Sequence, residues 1–261
     1  MDSPAQQFQQ EGFLILRNLL STEEAENYRA ILQQLSGLTD NDVNQKVGGG
    51  WTIADIAKFP PLWPIIFHER LVAKMREIFG PDARYTQHSD LHVHHGNVSW
   101  HRDSAHRRFG IGPDWDESKE KYQVARVAIY LQSFSESRSS LGVIPGSHRR
   151  ESKLANLEIK AWNMLSRSLK MRDLIIPMLT VRPVWVKTEP GDCIVFDTRL
   201  LHSPTPIRGP KYAIFLSYGA ENQHARNHRR YYLGDRPELG YQEYPPELAR
   251  RLQEANLLLK V

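Results

Sequence analysis

The chain has 261 residues, 40% of them apolar and 25% charged, an ordinary globular composition with length enough for a sizeable core. Lysine and arginine outnumber aspartate and glutamate by 34 to 30, and a net charge of +4 is too small an excess for a nucleic-acid footprint. The single cysteine, Cys193, excludes an internal disulfide framework. No apolar run is long enough to span a membrane, and the opening MDSPAQQFQQEG lacks the basic and apolar regions of a secretory signal, so a cytoplasmic protein is expected.

In chain order, residues 13–16 read as a short strand. Ser21 caps a helix whose first turn carries Glu23 and Glu24, favourable at the positive end of the helix dipole. Ala25, Tyr28, Ile31, Leu32 and Leu35 follow at helical spacing. Gly48-Gly49-Gly50 before Trp51 predicts a loop, and residues 64–79 predict a helix closed by Gly80-Pro81. Beyond Tyr85 the pattern turns to strands, at 126–131, 181–187, 193–196 and 213–218. A helical insertion is expected over 152–178 and a last helix from Pro245-Pro246. The basic run from His224 to Arg230 reads as a solvated face. Without repeats, linkers or βαβ alternation, residues 1–261 are expected to form a single domain. Its class is mainly β with flanking helices (α+β), on an antiparallel sandwich or barrel.

The residues that carry chemistry are Trp100-His101-Arg102-Asp103 and the distant His202. On a strand, positions i and i+2 share a face, so His101 and Asp103 present a nitrogen and a carboxylate side by side. His202 follows the turn Glu189-Pro190-Gly191-Asp192 and the strand at 193–196. Two imidazoles and one carboxylate on one face of an octahedral metal leave three positions open, the arrangement of O2-activating iron(II).

The same residues fall in a wider pattern. Residues 8–17 (FQQEGFLILR) with Ser21-Thr22-Glu23-Glu24, the HxD at 101–103, Val143-Ile144-Pro145-Gly146-Ser147-His148, and Glu189-Pro190-Gly191-Asp192 leading to Leu201-His202 come in one order. In that order they resemble the phytanoyl-CoA dioxygenase family of iron- and 2-oxoglutarate-dependent oxygenases. The resemblance covers nearly the whole chain. It implies a double-stranded β-helix (a jelly-roll, cupin-like core) with Fe(II) held by His101, Asp103 and His202 in its open mouth. It further implies 2-oxoglutarate and O2 as cosubstrates, succinate and CO2 as products, and room for ascorbate as a reductant. The family places an arginine shortly after the distal histidine to grip the far carboxylate of 2-oxoglutarate. Here that position is Lys211, which offers a point charge in place of a planar fork. Arg208 is the rival anchor, with Arg126 behind it, and His94 is expected beside the cosubstrate.

The substrate is expected to be a small polar or anionic metabolite, met by His106 and Arg107 of a basic loop and by Trp51, Trp115 and Tyr130. Asp103 favours hydroxylation, because related halogenases lack that carboxylate. Two other readings stay open at this point. A cupin-type metalloenzyme independent of 2-oxoglutarate would use His92 and His94, and a non-catalytic binding module would keep the fold without the metal. His88-Ser89-Asp90 is a further HxD, expected with His92 to border the site. His148 is expected to hydrogen-bond its turn and seat a loop.

Overall fold

Ser3 and Ser21 each start a helix by the same device. In both, the serine hydroxyl accepts the backbone N–H three residues on, and the side chain there, Gln6 or Glu24, accepts the serine's own N–H. The first helix, α1 (Pro4–Glu11), precedes strand β1 (Phe13–Leu16), and the second is α2 (Thr22–Ser36). After β2 (Trp51–Ala54), the stretch predicted to begin a helix at 64 is 3-10 instead, over Pro60–Phe67. Pro64 has no N–H to continue an α ladder, so α3 (Glu69–Phe79) starts only beyond it and stops at Gly80, φ 83°. The order continues β3 (Ala83–Tyr85), β4 (Asp90–Val93), β5 (Val124–Tyr130), α4 (Phe134–Ser137), β6 (Leu141–Val143) and α5 (Lys153–Ser168). It ends β7 (Val184–Val186), β8 (Cys193–Asp197), β9 (His202–Pro204), β10 (Tyr212–Ala220), α6 (Gln223–Leu233) and α7 (Pro246–Glu254).

This computed structural model describes residues 3–44, 50–96, 99–168, 178–205 and 207–260. Gly48, Gly49 and the end of the expected insertion at 169–177 lie outside the described residues. None of the described helices is long and apolar enough to cross a membrane.

The strands form two antiparallel sheets. The larger runs β1-β8-β5-β10-β4-β2 with β3 also on β10, and the smaller runs β7-β6-β9. Alternation along each large-sheet strand builds two cores. Ala125, Val127 and Ile129 of β5, Cys193 and Val195 of β8, and Ile214 and Leu216 of β10 face a helical layer that includes Phe8, Leu32, Leu71 and Leu252. Their neighbours Ala128, Tyr130, Ile194, Phe196, Ala213 and Phe215 meet Leu141, Val143 and Val186 of the small sheet. Helices, large sheet and small sheet therefore stack as three layers, the middle strands being buried on both faces. The mixed α and β composition with antiparallel sheets agrees with the expected double-stranded β-helix class.

The turn before β8 sets where that strand enters. Gly191 is left-handed (φ 85°), donates to the Tyr130 carbonyl and accepts from Leu20 N–H, at a point where an added Cβ would strike the Leu20 carbonyl. Asp192 takes the Arg17 guanidinium and the Asn18 N–H, tying β1 to the same corner. From that anchorage β8 runs into the turn that leads to His202.

Candidate metal centre

His101 and His202 exchange two backbone hydrogen bonds, each 3.0 Å, in an isolated antiparallel bridge. Asp103 is not on a strand with His101. Its N–H instead donates to Thr198 O at 2.7 Å and its carbonyl accepts from the Tyr232 hydroxyl at 3.0 Å. The result is still a convergence: the ligating atoms of His101, Asp103 and His202 lie within 4.8 Å of one another. His101 Nε2 is 3.6 Å from Asp103 Oδ1, and His202 Nε2 is 3.7 Å from Asp103 Oδ2.

Tautomers follow from the partners. His101 Nδ1 faces Ser99 O at 2.7 Å and His202 Nδ1 faces Leu200 O at 2.9 Å. A carbonyl only accepts, so both Nδ1 atoms carry a proton, and the Nε2 atoms are the ones turned towards Asp103. Burial pushes the Asp103 carboxyl up, but His202, His101, Arg126 and Arg107 together outweigh it and hold it down at about 2. Burial, with His101 beside it, lowers His202 to about 4. Two imidazoles and a carboxylate are the donor set that suits ferrous iron. The residues present fit the metal that the sequence implies.

The three residues open on a cavity of about 390 Å³. Strand alternation explains the rest of its wall. Lys211 precedes β10 in phase with Ala213 and Phe215, Arg126 is in phase with Ala128 and Tyr130 on β5, and Asp90 and His92 alternate with core residues Leu91 and Val93 on β4. Lys211 is 2% exposed and donates from Nζ to His95 O at 2.6 Å. Among the described residues no carboxylate pairs with it, and burial lowers its ammonium to about 8. Arg126 donates to His88 O at 2.6 Å and to Asp90 Oδ2 at 2.5 Å. Behind them His88 shares a 2.9 Å hydrogen bond with His228 and stacks on Tyr232.

The other expected site residues divide. Tyr130 and Arg107 line the cavity, as do His92, His88 and Asp90. Arg208 is exposed and does not line it. His94 does not line it either. The backbone turns left-handed there (φ 52°), ending the alternation that would have put residue 94 in phase with 90 and 92, and His95 lines the cavity instead. The ring nitrogens of His94 meet Thr39 O and the Lys211 N–H. His106 is exposed and packs against Gly112, Trp115 packs at a tilt on Phe109 near Arg199 and Arg102, and Trp51 packs on the helix-facing core. None of the three lines the cavity. His148 bonds to Gln9 O and seats the 145–148 turn against α1, the role expected of it. The run from His224 to Arg230 is a correction: it forms most of α6, with His224 and His228 buried, where His224 Nε2 meets Glu120 O and His228 Nε2 meets His88 Nδ1. Tyr232, Arg236 and Leu239, also lining the cavity, carry no sequence motif, being placed there by α6 and the loop after it.

A two-sheet β fold with two histidines and an aspartate converging at a cavity defines a mononuclear metal enzyme of the oxygenase type. The chain belongs to the phytanoyl-CoA dioxygenase family of 2-oxoglutarate-dependent non-haem iron oxygenases, whose profile matches residues 8–214 and so includes all three converging residues. No protein of curated function matches the chain in sequence. Similar solved structures include the α-ketoglutarate-dependent epimerase SnoN from nogalamycin biosynthesis, at 15% identity and TM-score 0.58, covering 83% of this chain and 82% of that one. HygX from Streptomyces hygroscopicus, with nickel and 2-oxoglutarate bound, matches at 16% and 0.57 over 84% and 91%. EctD from S. alaskensis matches at 20% and 0.57 over 84% and 79%. These likenesses establish the fold.

Proposed function

We propose that residues 1–261 act as one Fe(II)- and 2-oxoglutarate-dependent dioxygenase domain that hydroxylates a small polar or anionic metabolite, with release of succinate and CO2. The observation that carries this reading is the convergence of two Nε2 atoms and a carboxylate in a cavity whose wall also holds the buried ammonium of Lys211, with which no carboxylate among the described residues pairs. His101, Asp103 and His202 would hold the iron. When bound, iron with 2-oxoglutarate and O2 supplies the oxidising chemistry, with ascorbate serving as a reductant if one is needed.

The chain's own residues do the rest. Lys211 meets the far carboxylate of 2-oxoglutarate, since an anion entering this pocket needs a cation beside it and Arg208 does not line the cavity. Tyr130, Phe196 and Phe215 give that part of the wall an apolar lining that keeps water from the contact. Arg107 and Arg236 line the cavity as well, which favours an anionic substrate. The structures of EctD with bound Fe and of HygX with nickel and 2-oxoglutarate support the cofactor assignment. Cys193, buried and unpaired, fits a cytoplasmic setting. The cupin-type alternative needs His92 and His94 side by side, and only His92 lines the cavity.

Anaerobic addition of Fe(II) and then 2-oxoglutarate tests the proposal. A visible charge-transfer band that needs both components is expected. A band absent from wild-type protein, or one indifferent to 2-oxoglutarate, overturns the reading.

A further inference from the structure

The guanidinium of Arg126 has three N–H edges, and two of them are spoken for. Nη1 donates to His88 O at 2.6 Å and Nη2 to Asp90 Oδ2 at 2.5 Å. The third, Nε, is buried and makes no hydrogen bond among the described residues, yet it lies 3.5 Å from Asp103 Oδ2. Native structures rarely strand a buried donor of this kind, since the hydrogen bond it gave up to water is then not replaced. Asp90 balances the arginine's charge, so Nε is left as an unpartnered buried donor whose near acceptor is one oxygen of Asp103. Packing fixes the direction: Arg126 is 3% exposed, sits in the middle of β5 between β8 and β10, and its guanidinium lies 5.6 Å from the Phe215 ring.

We propose that Arg126 is a positioning residue that engages Asp103 Oδ2 through Nε–H, so that Asp103 meets the metal with one oxygen only. This rests on the oxygenase reading above and deepens it. In that arrangement Oδ1, 3.6 Å from His101 Nε2, would be the oxygen left for the metal, and Oδ2, 3.7 Å from His202 Nε2 and 3.5 Å from Arg126 Nε, would be the one the arginine engages. A carboxylate restricted to one donor atom keeps three coordination positions open, two for 2-oxoglutarate and one for O2. Asp90 belongs to the device, because it holds the fork that aims Nε. Partners of this kind, touching a ligand and not the metal, typically alter metal affinity by about 10–100-fold.

The test compares wild type with Arg126→Lys and Arg126→Gln. Lysine keeps the charge but cannot serve His88 O, Asp90 and Asp103 together. The readouts are the Fe(II) dissociation constant from anaerobic titration, the position of the 2-oxoglutarate charge-transfer band, and the melting temperature of the metal-free protein. Both variants are expected to bind Fe(II) roughly tenfold or more weakly with a displaced band. A lysine variant with wild-type affinity and band overturns the proposal, because charge alone would then suffice. A second measurement needs no variant: on adding Zn(II) to wild type, the Arg126 Nε–H proton resonance is expected to move downfield and exchange more slowly. An unmoved resonance overturns the proposal even if neither variant folds. Wild-type protein that takes up no Fe(II) removes the oxygenase reading and this inference with it, whereas normal Fe(II) uptake with an unmoved Nε–H removes this inference alone.

Discussion

The lysine at position 211 holds a charge that burial makes conditional. Desolvation pulls its ammonium down from 10.5 to about 8, with His92 and His95 the titratable groups facing it across the wall. A bound carboxylate favours the charged form, so 2-oxoglutarate affinity should be flat below about pH 8 and weaken as pH rises through it. Titration of the charge-transfer band at several pH values checks this, and Lys211→Arg should abolish the alkaline loss because guanidinium stays charged. Lys211→Ala should raise the apparent requirement for 2-oxoglutarate far more than that for iron, and an unchanged requirement would pass the anchoring role elsewhere. Asp103→Ala removes the one anionic ligand, and substrate-dependent succinate formation should fall to background. These residues were legible in the sequence because spacing and motif order set them apart. Arg126 was visible only as a distant candidate anchor, since its role depends on which three acceptors surround it.

At the scale of elements, strands were easier to read than polar helices. β1 was placed residue for residue and β5, β8 and β10 to within a few positions, because apolar runs buried on both faces leave a continuous signal. Residues 223–233 (QHARNHRRYYL) carry no apolar stripe, so their burial rests on hydrogen bonds to distant chain, which spacing does not encode. Likewise His94 breaks the β4 alternation by one left-handed residue, and a period-2 argument has no way to foresee it. Turns speak more plainly. Gly191 combines φ 85° with close approach to the Leu20 carbonyl, so Gly191→Ala should destabilise the fold by about 1–3 kcal/mol. Urea denaturation followed by tryptophan fluorescence measures that loss, and a midpoint equal to wild type would show that the turn yields without cost.

For the whole molecule, ligands that bind only the folded state add to its stability by mass action. Zn(II) with 2-oxoglutarate, each supplied at about 100 times its dissociation constant, should contribute about 2.7 kcal/mol per site. For a chain of this length each such contribution corresponds to a rise of roughly 5–10 °C in melting temperature. Scanning calorimetry of wild type against Asp103→Ala gives the comparison, with the shift expected only in wild type.

The family profile stops at residue 214, yet Tyr232, Arg236 and Leu239 reach back into the cavity from beyond it. On the proposed reading, the metal-holding residues lie inside the profile, while part of the wall that a substrate would meet lies beyond it. A chimera that borrows its last forty or so residues from a relative should keep the ferrous chemistry while changing what it oxidises, which makes this tail the natural place to graft new selectivity.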